Sequence, residues 1–381
     1  MAFGRFYSDT SLRSCYRPAV PVLPQLESVI GNLQAATLAL AEFDRRVSSM
    51  GMVGTIGRLF ARLDAVHSSG AEGSTTTFTD LMKFESVPAS APDPADARTV
   101  AACADAFEAA LDQPNPVQAV LAIHHRLFLN DANGMKAESS GRFKTHPNST
   151  YDPDVHGGQF YYTHPDQLDE ALGEWLSFTM ATDPRTPELL RQLCSHWMFE
   201  SIHPVMDGNG RIGRLLIPLM MKWKGATRSR AAFIGEAVHA DKDLYIDALK
   251  DVRRSGDFAP WCNITLSFIR QTAESNIERL DKLSAISGSW TEQLAGTRRD
   301  SVLHRMVPWM LTKPAFTVKD VGAELGVTFA VANNAIQVLV DKKIVGLAGS
   351  ASRNRLFLAP DVLGAFDRFR STAYQAAGPS I

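Results

Sequence analysis

The chain has 381 residues, enough for two or three domains with sizeable cores. Hydrophobic residues make up 45%, charged ones 21%, and the net charge is −2, an ordinary globular composition with no overall attraction for nucleic acid or acidic membranes. No apolar run approaches membrane-spanning length, and Met1 to Arg17 lacks the apolar core of a signal peptide. The four cysteines (Cys15, Cys103, Cys194, Cys262) show no metal-ligand spacing and fit a reducing cytoplasm.

Along the chain, Arg17 to Pro24 is proline-punctuated and extended. Leu26 to Val47 and Gly54 to Val66 have the apolar spacing of amphipathic helices. Ser68 to Thr77 then interrupts that periodicity, and residues 87–98, rich in Pro, Ala and Asp, read as a loop. Helical spacing returns over Asp96 to Leu111 and Pro116 to Leu129. It fails between Asn130 and Asp166, where Thr150 to Asp152 and Gln159 to Thr163 flank Gly157-Gly158 and predict a hairpin. Glu188 to Ile202 is another amphipathic helix, and it delivers His203 at its end. Helices continue from Leu244 to Ile269, followed by a polar helix or linker to about Arg299. A short helix (Lys319 to Leu325), a tight turn at Gly326, a longer helix (Phe329 to Asp341) and strand-like Ile344 to Leu347 and Arg355 to Ala359 have the pattern of a winged helix-turn-helix. Its longer helix holds no Lys or Arg, and Arg353 and Arg355 add little charge, which favours protein contact over DNA.

The run His203-Pro204-Val205-Met206-Asp207-Gly208-Asn209-Gly210-Arg211-Ile212-Gly213-Arg214 carries the chemistry. Gly208 and Gly210 permit a tight turn and a close backbone approach to a ligand, and successive N–H groups in such a turn cradle an anion. The apolar spacing of Ile212, Leu215, Leu216 and Leu219 places a helix N-terminus at the same spot. Arg211 and Arg214, three apart, can fork further phosphate oxygens, Asp207 can hold a hard cation, and His203 can take a proton at neutral pH. No Lys follows the glycines and no apolar strand precedes them, so this is neither the Gly-x4-Gly-Lys loop nor a dinucleotide fingerprint.

This run resembles the signature of the Fic (Fic/Doc) proteins, His-Pro-Phe-x-Asp/Glu-Gly-Asn-Gly-Arg-x-x-Arg, departing from it only at Val205. The resemblance implies a mainly α, Fic-type helical core with a β-hairpin flap, followed here by the winged helix-turn-helix. It divides the chain into an N-terminal helical region (1–115), a catalytic core (116–272), a helical linker (273–300) and a C-terminal domain (301–381). It implies transfer of AMP from ATP to a Ser, Thr or Tyr hydroxyl of a protein, with Mg2+. His203 would be the base, Asp207 the metal ligand, and Gly208, Asn209, Gly210, Arg211 and Arg214 the nucleotide-binding residues.

Ser68-x-x-x-Glu72-Gly73 resembles the inhibitory motif of many Fic proteins, which implies a Glu72–Arg214 pair that competes with the outer phosphate. Ser140-Gly141-Arg142-Phe143-Lys144 resembles the element before the flap, whose Tyr151, Phe160 and Tyr161 would meet the target. Tyr245 occupies a position where relatives carry tyrosines beside the adenine; a packed Tyr with a wet hydroxyl is the alternative. His124 and His125 read as structural, His196 as lying behind the site or on the surface, and His146, His156 and His164 match no ligand pattern. The expected partners are ATP, a hydroxyl-bearing protein or the chain itself and, as an open alternative, a second copy in a homodimer. Removal of AMP by the same residues, and a nucleotide-sensing transcription factor, are the competing functions.

Overall fold

Leu33, Ala36, Leu40, Phe43 and Val47 recur every three or four residues and form the buried face of α1 (Ile30–Ser49). The computed structural model describes residues 3–9, 13–50, 53–129, 138–155, 157–228, 232–298, 301–349 and 354–367. His156, Ser350 and Arg353 lie outside these residues. α2 (Val53–Gly70), α3 (Phe78–Ser86), α4 (Pro94–Ala110) and α5 (Pro116–Phe128) follow α1. Side chains of Thr77, Asp93 and Asn115 cap α3, α4 and α5 by accepting from N–H groups in the first turn. The sequence pattern did not anticipate α3, and the expected loop at 87–98 already turns helical at Pro94.

The interruption at Ser68 is not a break either: α2 runs through Gly70 with Ser68 fully buried. A polar residue faces the core there because a buried cation binds it, which apolar periodicity cannot report.

α6 (Leu168–Met180), α7 (Glu188–Ile202) and α8 (Asn209–Trp223) come next. α7 and most of α8 are buried on every side, so this pair forms the centre of the molecule. α9 (Gly235–Ala240), α10 (Lys242–Ser255) and the long α11 (Ala259–Gln293) complete the helical core. α11 crosses residue 272 without interruption, so the expected linker is largely a continuation of a core helix, with Leu280, Leu283 and Trp290 buried.

Two N-terminal strands, β1 (Gly4–Ser8) and β2 (Ser14–Pro18), join the expected hairpin β3 (Ser149–Tyr151) and β4 (Gln159–Tyr161) in one sheet of order β1-β2-β4-β3. β2 pairs parallel to β4 through Cys15 and Tyr161, so β4 is covered on both sides and β3 is the free edge of the flap.

The C-terminal unit holds α12 (Val302–Thr312), β5 (Ala315–Thr317), α13 (Val318–Leu325), α14 (Phe329–Asp341), β6 (Gly346–Ala348), β7 (Leu356–Leu358) and α15 (Pro360–Phe366). Its sheet has the order β5-β7-β6, and the chain bends by 116° between α13 and α14. The unit is not detached: Phe366 stacks on Phe78 of α3 at 4.6 Å and lies against Phe60 of α2 at 5.7 Å.

Candidate active site

The C-terminus of α7 and the N-terminus of α8 meet in the loop that carries the motif. His203 caps α7 in the left-handed region (φ 55°, ψ 60°), a conformation disfavoured for a residue with a Cβ and held only by surrounding contacts. Those contacts come from the segment before the flap. Asn148 Nδ2 donates to the carbonyls of His203 (3.1 Å) and Val205 (2.8 Å). The Lys144 N–H donates to Pro204 O at 3.0 Å, and its buried Nζ reaches Ile202 O and Asn148 Oδ1.

The His203 Nδ1 faces Glu200 O at 3.2 Å. A carbonyl can only accept, so Nδ1 carries the proton and Nε2 is left as the basic nitrogen. Burial, with Lys144 next, drives this imidazole down to about 3, which keeps it neutral at pH 7 with the Nε2 lone pair free.

Gly208, at φ 82°, forms the cap of α8 and turns the chain into the helix. The first N–H groups of a helix lack intrahelical partners; here they belong to Asn209, Gly210 and Arg211. The Asn209 side chain does not reach outward. It is buried and bridges back to Val205, accepting from its N–H at 3.1 Å and donating to its carbonyl at 2.8 Å. Asn209 therefore shapes the loop and offers only its backbone to a phosphate. Val205, where the family signature has Phe, is fully buried. The Arg211 guanidinium lies 5.4 Å from the centre of the Phe128 ring.

Arg214 is nearly fully buried and held by three hydrogen bonds. Nε donates to Ser68 Oγ (2.8 Å), and Nη2 donates to Ser68 O (2.9 Å) and Glu72 Oε1 (2.7 Å). The Glu72 contact is through one oxygen, and the fork is completed by Ser68. This accounts for the four-residue spacing: Ser68 and Glu72 fall one turn apart on the face that meets Arg214. Gly73, at φ 97°, closes the turn as its N–H returns to Gly70 O at 3.0 Å. Lys242 holds the same turn from α10, its Nζ donating to Ala71 O and lying 4.0 Å from Glu72 Oε2. Burial pulls the Glu72 carboxyl upward, but the Arg214 charge and hydrogen bond outweigh it and keep the group below the usual carboxylate range.

Gly210 is required by this pairing. A Cβ there would lie 2.6 Å from Glu72 Oε1 and 3.0 Å from Arg214 Nη1. The Glu72 carboxylate thus sits directly over the N-terminus of α8, where an anion would otherwise bind.

His203, Asp207, Gly208, Asn209, Gly210, Arg211, Arg214, Glu72 and Tyr245 line one cavity of about 700 Å3. Tyr151 and Tyr162 of the flap reach it as well. Tyr245 is buried, and its hydroxyl is 2.7 Å from His196 Nε2, so neither the wet hydroxyl nor a surface position for His196 holds. Tyr151 is widely exposed, while Tyr161 is half-buried. Phe160 is a correction: it points inward among Tyr16, Tyr162 and the Arg253 guanidinium, and packs the flap instead of facing a target.

Asp207 accepts from the Gly208 N–H at 2.6 Å on the cavity wall. Among the described residues no group of three His, Cys, Asp or Glu side chains could hold a metal. A single carboxylate beside a phosphate cradle fits Mg2+ that shares its ligands with substrate phosphates, and does not fit a resident protein-only metal centre.

Sequence reasoning missed Glu200. It stands one turn before His203, lines the cavity and is driven up to about 7 by burial, against the opposing Arg214 charge. Its position three residues before the base on the same helix was the available signal. Cys194 and Cys262, distant in sequence, are buried with Sγ atoms 3.7 Å apart.

Residues 110–221 match the Fic/DOC family and residues 30–112 match the Fic/DOC family N-terminal region, together running through just over half of the chain. The chain belongs to the Fic/DOC family. It is similar to protein adenylyltransferase fic-1 of Caenorhabditis briggsae, 28% identical over 160 residues that make up 41% of this chain and 27% of that relative. Its fold is shared with a Fic family protein of Desulfovibrio desulfuricans G20 over 86% of this chain and 95% of that one, at TM-score 0.54 and 15% identity. A Fic-1 structure from C. elegans matches 66% of this chain and 72% of its own at TM-score 0.49 and 19% identity.

Proposed function

We propose that this chain is a protein adenylyltransferase that moves AMP from Mg2+-bound ATP to a hydroxyl side chain, held inactive by Glu72. The observation that carries this reading is one cavity that joins the unprotonated Nε2 of His203 to the phosphate cradle at the start of α8. The target oxygen attacks the α-phosphorus as the bond from that phosphorus to the bridging oxygen breaks. Pyrophosphate leaves, and the hydroxyl proton passes to His203 Nε2. Arg211, Arg214 and the helix N–H groups take up charge on the outer phosphates. Asp207 would hold the metal, which supplies charge neutralisation at the phosphates when bound. The similarity to protein adenylyltransferase fic-1 supports the same class of reaction.

In the resting state Glu72 competes with phosphate for Arg214 and for the mouth of α8. Removing its carboxylate frees both. Purified wild type, Glu72→Gly and Glu72→Gly/His203→Ala proteins, incubated with Mg2+ and ATP labelled on the α-phosphate, test the reading. Label on protein is expected to rise on the order of tenfold in Glu72→Gly, the effect of about 1.4 kcal/mol of lost competition. In Glu72→Gly/His203→Ala it should fall by about 10²-fold or more. Label arriving from the γ-phosphate instead would make the enzyme a kinase-like user of the pocket.

The C-terminal unit is proposed to contact protein. The Arg355 guanidinium donates to Asn333 Oδ1 at 2.6 Å, and the exposed start of α14 presents Phe329 and Val331. Neither feature favours a phosphate backbone.

A further inference from the structure

The Tyr162 ring lies flat against the His203 imidazole, with centroids 3.9 Å apart and planes 9° from parallel. This is the most direct contact between the flap and the base. Tyr162 directly follows β4, and its N–H donates to Asn148 O at 3.1 Å, which extends the β3–β4 ladder. Its hydroxyl lies 3.3 Å from Thr150 Oγ1 on β3. Phe160 packs against it at 5.2 Å in an edge-on arrangement, and the Arg253 guanidinium sits 4.0 Å over the Phe160 ring. The ring is therefore held by the strand, by Thr150 and by the Phe160 edge contact. Asn148, which anchors Tyr162, also holds the backbone of His203.

From this geometry we infer that Tyr162 is a positioning residue for the base, whose π-face stabilises the His203 imidazolium formed when the target hydroxyl gives up its proton. The inference rests on the AMP-transfer reading above. Before transfer the imidazole is neutral, and the stack contributes only packing. After transfer the ring carries a positive charge against an electron-rich face, an attraction that strengthens where water is excluded. An interaction present only once charge develops raises kcat and leaves substrate binding unchanged. The charged groups around His203 leave room for such help. Lys144 and Arg253 oppose a positive ring, while Glu72, the acid acting on it from another element, is on the reading above the group that must withdraw for activity. Tyr162 persists when Glu72 leaves.

The test uses the full chain in the Glu72→Gly background, with Tyr162 replaced by Phe, then by mono-, di- and trifluorinated phenylalanine, and by Leu. Fluorine withdraws electron density from the face while leaving the ring and its stacking in place. Tyr162→Phe is expected to keep kcat within about twofold, since the face remains. Successive fluorines should lower kcat progressively, on the order of tenfold by the third, at constant KM for ATP. Tyr162→Leu should lose at least as much. Should Leu fail to fold, the fluorinated series stands alone, because melting temperatures across it are expected to be alike. A flat kcat across the series would overturn the inference and leave the AMP-transfer reading intact. Absence of α-phosphate label in the Glu72→Gly parent would overturn that reading, and this inference with it.

Discussion

Glu200 shows how much one side chain at the floor of the cavity can decide. Its carboxyl is buried, its Oε1 has no hydrogen-bond partner among the described residues, and a Cβ on Gly213 would come within 2.2 Å of it. Burial raises this acid from an ordinary 4.5 to about 7, so the folded chain binds its proton more tightly than the unfolded chain does. The stability linked to the group is therefore complete below its unfolded value, and is lost as pH climbs through about 7. At pH 8 the accumulated cost is about 3 kcal/mol, taking the two values at 1.36 kcal/mol per unit. Glu200→Gln keeps the shape and abolishes the titration. It should raise the melting temperature over wild type at pH 8 and gain little at pH 5. Equal shifts at the two pH values would mean that packing, not ionisation, governs the site. The same side chain explains a glycine that the motif leaves unexplained, since Gly213 makes space for Glu200 as Gly210 does for Glu72.

At the scale of elements, the flap edge carries a sharper expectation. Asn148 O accepts from Tyr162 N, and Asp152 N donates to Gly158 O, so the residues of even number face β4. Ser149 and Tyr151 then turn their backbone groups outward, where an arriving strand would pair. Tyr151→Pro deletes an outward N–H without touching the β3–β4 ladder. Transfer to lysate proteins should drop severalfold, one such hydrogen bond being worth about 1 kcal/mol, while ATP affinity stays put. Tyr151→Val controls for loss of the ring, and a Pro variant no worse than Val would argue against strand addition. The sequence disclosed the hairpin through its aromatics and Gly157-Gly158, and the helix ending at Ile202 through its spacing. It concealed β1 and β2, because Gly4–Ser8 and Ser14–Pro18 are short and carry arginines, and because β2 pairs with a strand far along the chain. That pairing, which buries one edge of β4 and leaves only β3 open, is long-range information. The same limit hid the burial of Ser68 inside α2 against Arg214, though the motif itself was legible, and it hid Lys242, whose partner is Ala71 O. The twelve-residue motif was legible because its cradle, base and arginines are supplied by one continuous loop and helix start.

Across the whole molecule, a single continuous core runs from α1 to α15, so the C-terminal unit and the helices leading to the Glu72 turn are mechanically joined. Phe366 lies at the centre of that contact, flanked by Phe60 on α2 and Phe78 on α3. Two polar links flank it: Asp367 receives Thr79 N at 3.1 Å, and Ser86 Oγ donates to Ala315 O at 2.5 Å. α2 is the helix whose last turn presents Ser68 to Arg214, so a displacement of the C-terminal unit is felt at the Glu72–Arg214 pair through α2 and α3. Wild type is expected to unfold in one transition, seen alike by Trp309 in the C-terminal unit and by the buried Trp175, Trp197 and Trp261 of the core. Phe366→Ala should cost about 3 kcal/mol or more, as for other buried Phe-to-Ala changes, and should let the C-terminal unit melt first. Its basal AMP transfer should rise above wild type but stay below Glu72→Gly, because loosening α2 weakens the Glu72–Arg214 pair without removing the carboxylate. Unfolding followed by fluorescence, beside α-phosphate labelling of the same preparations, reads both effects. Destabilisation without any gain in label would confine the interface to a structural role.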